Sequence, residues 1–155
     1  MNEKIIPGGS GTVIAVCTSA LKHVQKDDVG SAMLVEELGL KGDAHAGFAH
    51  RQVSLLADES IDKMRALGLE NLRPGAFGEN LTTRGLDLIS LQVGQRLRIG
   101  EEVVLEVSQI GKECVDRCAI YYQAGDCIMP REGIFARVIK GGRVSNGDAI
   151  RVVET

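Results

Sequence analysis

Tryptophan is absent from the 155 residues, and aromatic side chains make up only 3% of them. A chain this poor in flat rings lacks the usual means of stacking nucleic-acid bases. Long apolar runs are missing as well: nothing approaches the ~20 residues a membrane-spanning helix needs. The opening MNEKIIPGGSG has no apolar region of the kind that makes a secretory signal. Nor is there an excess of positive charge. Eighteen Lys and Arg stand against 21 Asp and Glu, a net charge of −3, which argues against a nucleic-acid or membrane-surface binder. The expectation is a cytoplasmic protein with no nucleic-acid and no membrane partner. Cysteine is scarce too, at four residues (Cys17, Cys114, Cys118, Cys127). In a reducing compartment such thiols are buried, metal-binding or reactive rather than a disulfide framework. The sequon Asn80-Leu81-Thr82 then carries no glycan.

What is present is an ordinary globular composition, 44% hydrophobic and 25% charged. The length suits one domain with one core. No repeat, linker or low-complexity tract divides it, so residues 1–155 read as a single domain. GTVIAVC (residues 11–17), QVSLLA (52–57) and VVLEVSQI (103–110) read as strands, and LRIGEE (97–102) as a turn between short strands. Asn146-Gly147 is a tight-turn signal ahead of a last strand, Ala149 to Val153. One helix is expected from Asp58, a capping residue, with Ile61, Met64 and Leu67 as its apolar stripe and Gly68 as its stop. A second short helix is expected at Ser31 to Leu38. Nineteen glycines suit many short strands joined by tight turns. The fold class expected is β-rich α+β.

Several stretches can carry chemistry. Pro7-Gly8-Gly9-Ser10-Gly11 precedes a strand instead of following one, so it is not a dinucleotide fingerprint. Asp43, His45 and His50, in GDAHAG and just after it, are metal-competent side chains beside Arg51. Flanking glycines equally imply a tight turn in which Asp43 bonds backbone amides. Glu79 and Asn80 can serve as a base and an amide donor for a ligand, or as loop residues bonding the backbone. Arg131, Arg137, Lys140 and Arg143, against the lone acid Glu132, form either a solvated strand edge or a landing place for a small anion.

The cysteines cluster in GKECVDRCAIYYQAGDC, residues 111–127. Cys114 and Cys118, four apart, lie about 6 Å from each other on a helix but more than ~12 Å apart on a strand. Only the former geometry allows a shared metal. Cys127 can add a third thiolate, but no fourth ligand follows at zinc-finger spacing. Arg117 and Lys112 can lower a neighbouring thiol toward neutrality, making Cys118 a nucleophile or soft-metal ligand. Cys17, inside an apolar strand, is expected to be an inert buried side chain.

Taken together, GDAHAG followed by HRQVSLL, then PGAFGENL, GKEC-x3-C and REGIFARVIKGGRVSNGDAI resemble a stand-alone MOSC domain, the C-terminal domain of molybdenum-cofactor sulfurases. The resemblance runs from about residue 11 to residue 153. It implies a single MOSC-type β-barrel with a few short peripheral helices. It further implies binding of the molybdenum cofactor, a molybdopterin, or carriage of sulfur for metal–sulfur sites. In related amidoxime-reducing enzymes the cysteine of an Arg-Cys pair holds the metal. Arg117-Cys118 matches that pair, making Cys118 the implied metal ligand or persulfide carrier, with Cys114 the alternative thiol. Asn80 matches the asparagine of an Arg-x-Asn cofactor contact, while Gly78 stands where that arginine would be. The implied cofactor-binding set is Arg117, Asn80, Glu79, Asp43, His45, Arg51, Lys112, Arg131 and Lys140.

Three functions follow from this reading. One is a molybdenum-cofactor-binding sulfur carrier, with pyridoxal phosphate residing in a partner cysteine desulfurase and a molybdoenzyme or cofactor-synthesis protein as client. Another is a molybdenum-dependent reductase of N-hydroxylated compounds, served by a separate electron donor. The third is a non-catalytic anion- or metal-binding barrel.

Overall fold

Short alternating stretches interrupted by glycine turns build a sheet that closes on itself. The computed structural model describes residues 9–20, 25–43, 47, 52–69, 72–111 and 132–153. Within them lie β1 (Ser10–Thr18), β2 (Asp27–Asp28), β3 (Ser31–Val35), β4 (Gly39–Leu40), β5 (Val53–Ala57), α1 (Asp58–Arg65) and β6 (Leu81–Arg84). A 3-10 turn (Leu88–Ser90) and β7 (Arg96–Ile99), β8 (Val103–Ile110), β9 (Ile134–Lys140), β10 (Gly142–Ser145) and β11 (Ala149–Val153) complete the order. Hydrogen-bonded neighbours run β11-β7-β8-β9-β5-β6-β1, and β1 pairs back with β11, closing a seven-stranded barrel. All these pairs are antiparallel except β5–β6. Closure leaves this sheet no free edge within the ring. A three-stranded flap, β10-β3-β4, lies beside it. The barrel and its sparse helix are the β-rich architecture the sequence implies.

Period-two patterning points one set of side chains inward. Val103, Leu105 and Val107 of β8, Leu97 and Ile99 of β7, and Ile150 and Val152 of β11 meet inside the ring with Val13 and Val16. Each of these is at most 7% exposed, so the interior is filled by aliphatic side chains. β5 departs from simple alternation, being buried at all five positions. Its inward residues, Val53, Leu55 and Ala57, join the barrel interior. Leu56 faces outward into a second core with Ile61, Met64, Ala76, Phe77 and Phe135. A strand covered on both faces reads as an unbroken apolar run, which explains QVSLLA.

α1 carries Asp58 and Glu59 in its first turn and Lys63 and Arg65 in its last, complementing the helix dipole. Its N-cap is Ala57 and makes no side-chain capping bond, so Asp58 begins the helix instead of capping it. Leu67 falls in the turn after the helix and is 61% exposed, outside the stripe formed by Ile61 and Met64. The second expected helix is corrected outright. Ser31–Val35 is strand β3, paired with β10 from Ser31↔Ser145 to Leu34↔Gly142. Glu37, inside this stretch, has a φ of 57°, outside the right-handed helical region, and β10 supplies the strand partner. Among the described residues, no helix is long and apolar enough to cross a membrane.

Candidate functional site

β1 and β6 run antiparallel, and several of the buried polar side chains among the described residues gather at one end of the barrel. The Cys17 amide donates to the Asn80 carbonyl at 2.6 Å. Around that bond stand Ser19, Lys26, Asp43, Ser54, Glu79, Asn80 and Thr82.

Lys26 and Asp43 form an ion pair at 2.7 Å with neither side chain exposed. The same Asp43 oxygen accepts the Ser19 amide at 3.1 Å, and Lys26 Nζ reaches Ser19 Oγ at 3.3 Å. Asp43 therefore does what a Gly-flanked aspartate is suited to do: it ties a turn to backbone 24 residues away. His45 and Arg51, its neighbours in sequence, lie outside the described residues. Among the described residues, no group of three or more His, Cys, Asp or Glu is arranged to hold a metal ion.

Glu79 and Asn80 are both 0% exposed. Asn80 accepts the Ser54 amide and hydroxyl on Oδ1, at 3.0 and 3.2 Å, and donates Nδ2 to the Cys17 carbonyl at 3.1 Å. It locks β5, β6 and β1 together from one point. Glu79 accepts the amides of Gly75 (3.0 Å) and Phe77 (3.2 Å) and the Thr82 hydroxyl (2.7 Å). Burial raises its carboxyl above the ordinary value, against the lowering effect of those three donors. Gly75 has φ of 90°, and a Cβ there would strike the Lys26 carbonyl oxygen, so the turn beside Glu79 needs glycine. Of the two roles the sequence allows these residues, the observed contacts are those of loop residues bonding the backbone.

Cys17 is fully buried, as its apolar strand implies. Burial pushes its thiol up to about 12, with the negative charge of Glu79 as the second cause. It is a protonated, inert thiol at neutral pH. It is the one cysteine among the described residues. Cys114, Arg117, Cys118 and Lys112 lie in residues 112–131, outside the described set, as does Arg131.

The residues flanking that segment sit at the other end of the barrel. Gly111 N–H donates to the Gly133 carbonyl at 2.7 Å, closing the mouth of the β8–β9 hairpin. Glu132 accepts Ser60 Oγ at 2.6 Å and Lys63 Nζ at 2.7 Å, fixing the far side of the segment to α1. At this end β6 finishes in Arg84, which pairs with Asp58 at 2.6 Å. Asn80, before the start of β6, is about 13 Å away along the strand direction. The basic run is also divided. Arg137 pairs with Glu37 at 2.8 Å, and Arg143 donates to Ser31 Oγ at 3.4 Å. Lys140 is exposed at the end of β9. That position is about 20 Å by strand rise from Ile134 and the segment's flank.

Lys26 escapes the sequence reading. QKDD looks like a solvated charge run, and no local pattern announces that its lysine is sealed against an aspartate 17 residues on. Ser54 and Thr82 are equally silent, being polar residues in stretches that read as strand.

The MOSC domain family profile matches residues 42–151. Several solved structures share the fold, among them the following three. YuaD from Bacillus subtilis superposes with a TM-score of 0.79 at 19% identity, covering 94% of this chain and 97% of that one. YiiM from Geobacillus stearothermophilus gives 0.71 at 18%, covering 93% and 75%. YiiM from Escherichia coli gives 0.65 at 26%, covering 94% and 70%. The two likenesses below 25% identity speak to the fold alone. No curated protein sequence matches the chain.

Proposed function

Because the chain belongs to the MOSC domain family, we propose that it is a sulfur carrier for molybdenum-cofactor sites, its working thiol being Cys118, or Cys114 in its place. Family membership links the chain to molybdenum-cofactor-related chemistry. The observation that favours a thiol of the 112–131 segment is the state of Cys17, sealed and held at about 12. A buried thiol of that basicity neither attacks a sulfur donor nor grips a soft metal at neutral pH. Cys17 is the one thiol among the described residues, and a thiolate is the soft donor that suits a molybdenum site.

The carrier step balances without an external oxidant. The Cys118 thiolate attacks the terminal sulfur of a persulfide on a partner cysteine desulfurase. The donor's sulfur–sulfur bond breaks, its cysteine leaves as a thiolate, and a new sulfur–sulfur bond forms on Cys118. Arg117 and Lys112 favour the attacking thiolate by their charge. A thiolate of the client, a molybdoenzyme or cofactor-synthesis protein, then attacks the outer sulfur; the sulfur–sulfur bond on Cys118 breaks and Cys118 leaves as a thiolate.

Incubation with a desulfurase and cysteine, followed by intact-mass spectrometry under non-reducing conditions, tests the reading. The expected product is heavier by one sulfur atom, unchanged in Cys17→Ala and lost in Cys118→Ser. Loss in Cys114→Ser alone moves the role to Cys114. A wild-type chain that gains no sulfur ends the carrier reading.

A further inference from the structure

Between the first turns of α1 and the stretch after β6 lies an open groove with a volume of about 250 Å³. Leu86, Leu88 and Ile89 give it an apolar floor, with Leu86 and Leu88 buried and Ile89 54% exposed. Glu59 and Asp87 line it with carboxylates, and the Ser60–Glu132–Lys63 contact forms one wall.

Charge decides what such a groove takes. The lining cation, Lys63, is held by both oxygens of Glu132, at 3.0 and 2.7 Å. Arg84, next to the lining residue Gly85, is turned to Asp58 at 2.6 Å and Asp62 at 3.6 Å. Glu59 accepts the Gly85 amide and Asp87 the Ser90 hydroxyl, so each carboxylate is oriented by a neutral donor. The lining thus carries two carboxylates without a paired cation, above an apolar floor. The volume lies below the ~300 Å³ at which drug-sized sites begin, which limits the guest to about one ring.

We propose that this groove binds a small organic monocation, its apolar body over Leu86, Leu88 and Ile89 and its ammonium group turned to Glu59 and Asp87. The site abuts Glu132, the residue that follows the thiol-bearing segment, so its occupant sits beside that segment's anchor. The assignment stands on the groove alone and does not rest on the sulfur-carrier reading.

Three ring compounds of one shape and different charge test it: benzylammonium, benzyl alcohol and benzoate, titrated into isotopically labelled protein at low salt. Benzylammonium is expected to shift the amides of Ser60, Gly85 and Leu88 saturably, and the other two to leave them unmoved. Glu59→Gln and Asp87→Asn keep the carbonyl that holds Gly85 N–H or Ser90 O–H, and each weakens binding by about threefold to tenfold. Ile89→Lys, at an exposed position, places a cation in the groove and abolishes the shifts. Equal binding of benzyl alcohol, indifference to the two carboxylate variants, shifts centred elsewhere, or no shifts at all would overturn the proposal.

Discussion

Lys26 and Asp43 face each other at 2.7 Å with no exposure on either side chain, at a place where the chain has several other polar groups to satisfy. Removing one partner leaves a buried charge without its counterpart. Lys26→Met or Asp43→Leu alone is therefore expected to cost about 3–5 kcal/mol, whereas the double substitution recovers part of that loss. Urea denaturation of the three variants checks this, and equal additive losses would show that the pair is not coupled. Glu79 makes a pH argument at the same scale. Burial raises its folded-state value above the ordinary 4.5, so the folded chain binds that proton more tightly than the unfolded one. The stabilisation is complete below pH 4.5 and is lost as pH rises through the folded value. The urea midpoint of wild type should accordingly fall, relative to Glu79→Gln, as pH increases above 4.5. A constant difference between the two across that range would contradict it.

At the scale of elements, α1 does more than cover β5. Its buried side, with Ile61 and Met64, completes the outer core, while Ser60 and Lys63 hold Glu132. Lys63 is 57% exposed, so its ion pair adds little, and the 2.6 Å bond from Ser60 is the stronger contact. Glu132→Ala is expected to cost about 1–2 kcal/mol and to speed amide exchange in α1 and at Gly133, without change at Asn80 at the other end of the barrel. Faster exchange at both ends would instead signal global weakening. α1 itself was legible from its acidic start and its Ile61–Met64 spacing. β3 was not: Ser31–Val35 has no strong period of its own, and its strand state comes from pairing with β10, more than 100 residues later. Leu67 misleads for the opposite reason, fitting the helical period while standing just beyond the helix end.

For the whole molecule, closure of the barrel decides which polar groups go without partners. Thr83 lies between Val13 and Ala57 in the ladder, on the inward face of β6, and its hydroxyl is buried with no hydrogen-bond partner. Thr83→Val keeps the shape and removes the orphan group, so it is expected to raise stability by about 1 kcal/mol. A loss of stability in thermal or urea unfolding would mean that the hydroxyl has a partner after all. The same closure explains why the candidate residues divide. Glu79, Asn80 and Asp43 meet where β1 ends and β6 begins, while Gly111 and Glu132, at the mouth of the β8–β9 hairpin, belong to the other end.

The amino-acid sequence by itself determined strands β1, β5, β8 and β11, helix α1, the Asn146-Gly147 turn, the burial of Cys17 and the family. Each of these depends on patterns held within a few residues, or on motifs in a fixed order. Only the tertiary structure decided that Lys26 is sealed against Asp43, that Asn80 is consumed in joining three strands, and that Glu59 and Asp87 share a groove. Burial and pairing are set by groups distant in sequence and brought together by barrel closure, and no local window contains both halves of such a contact.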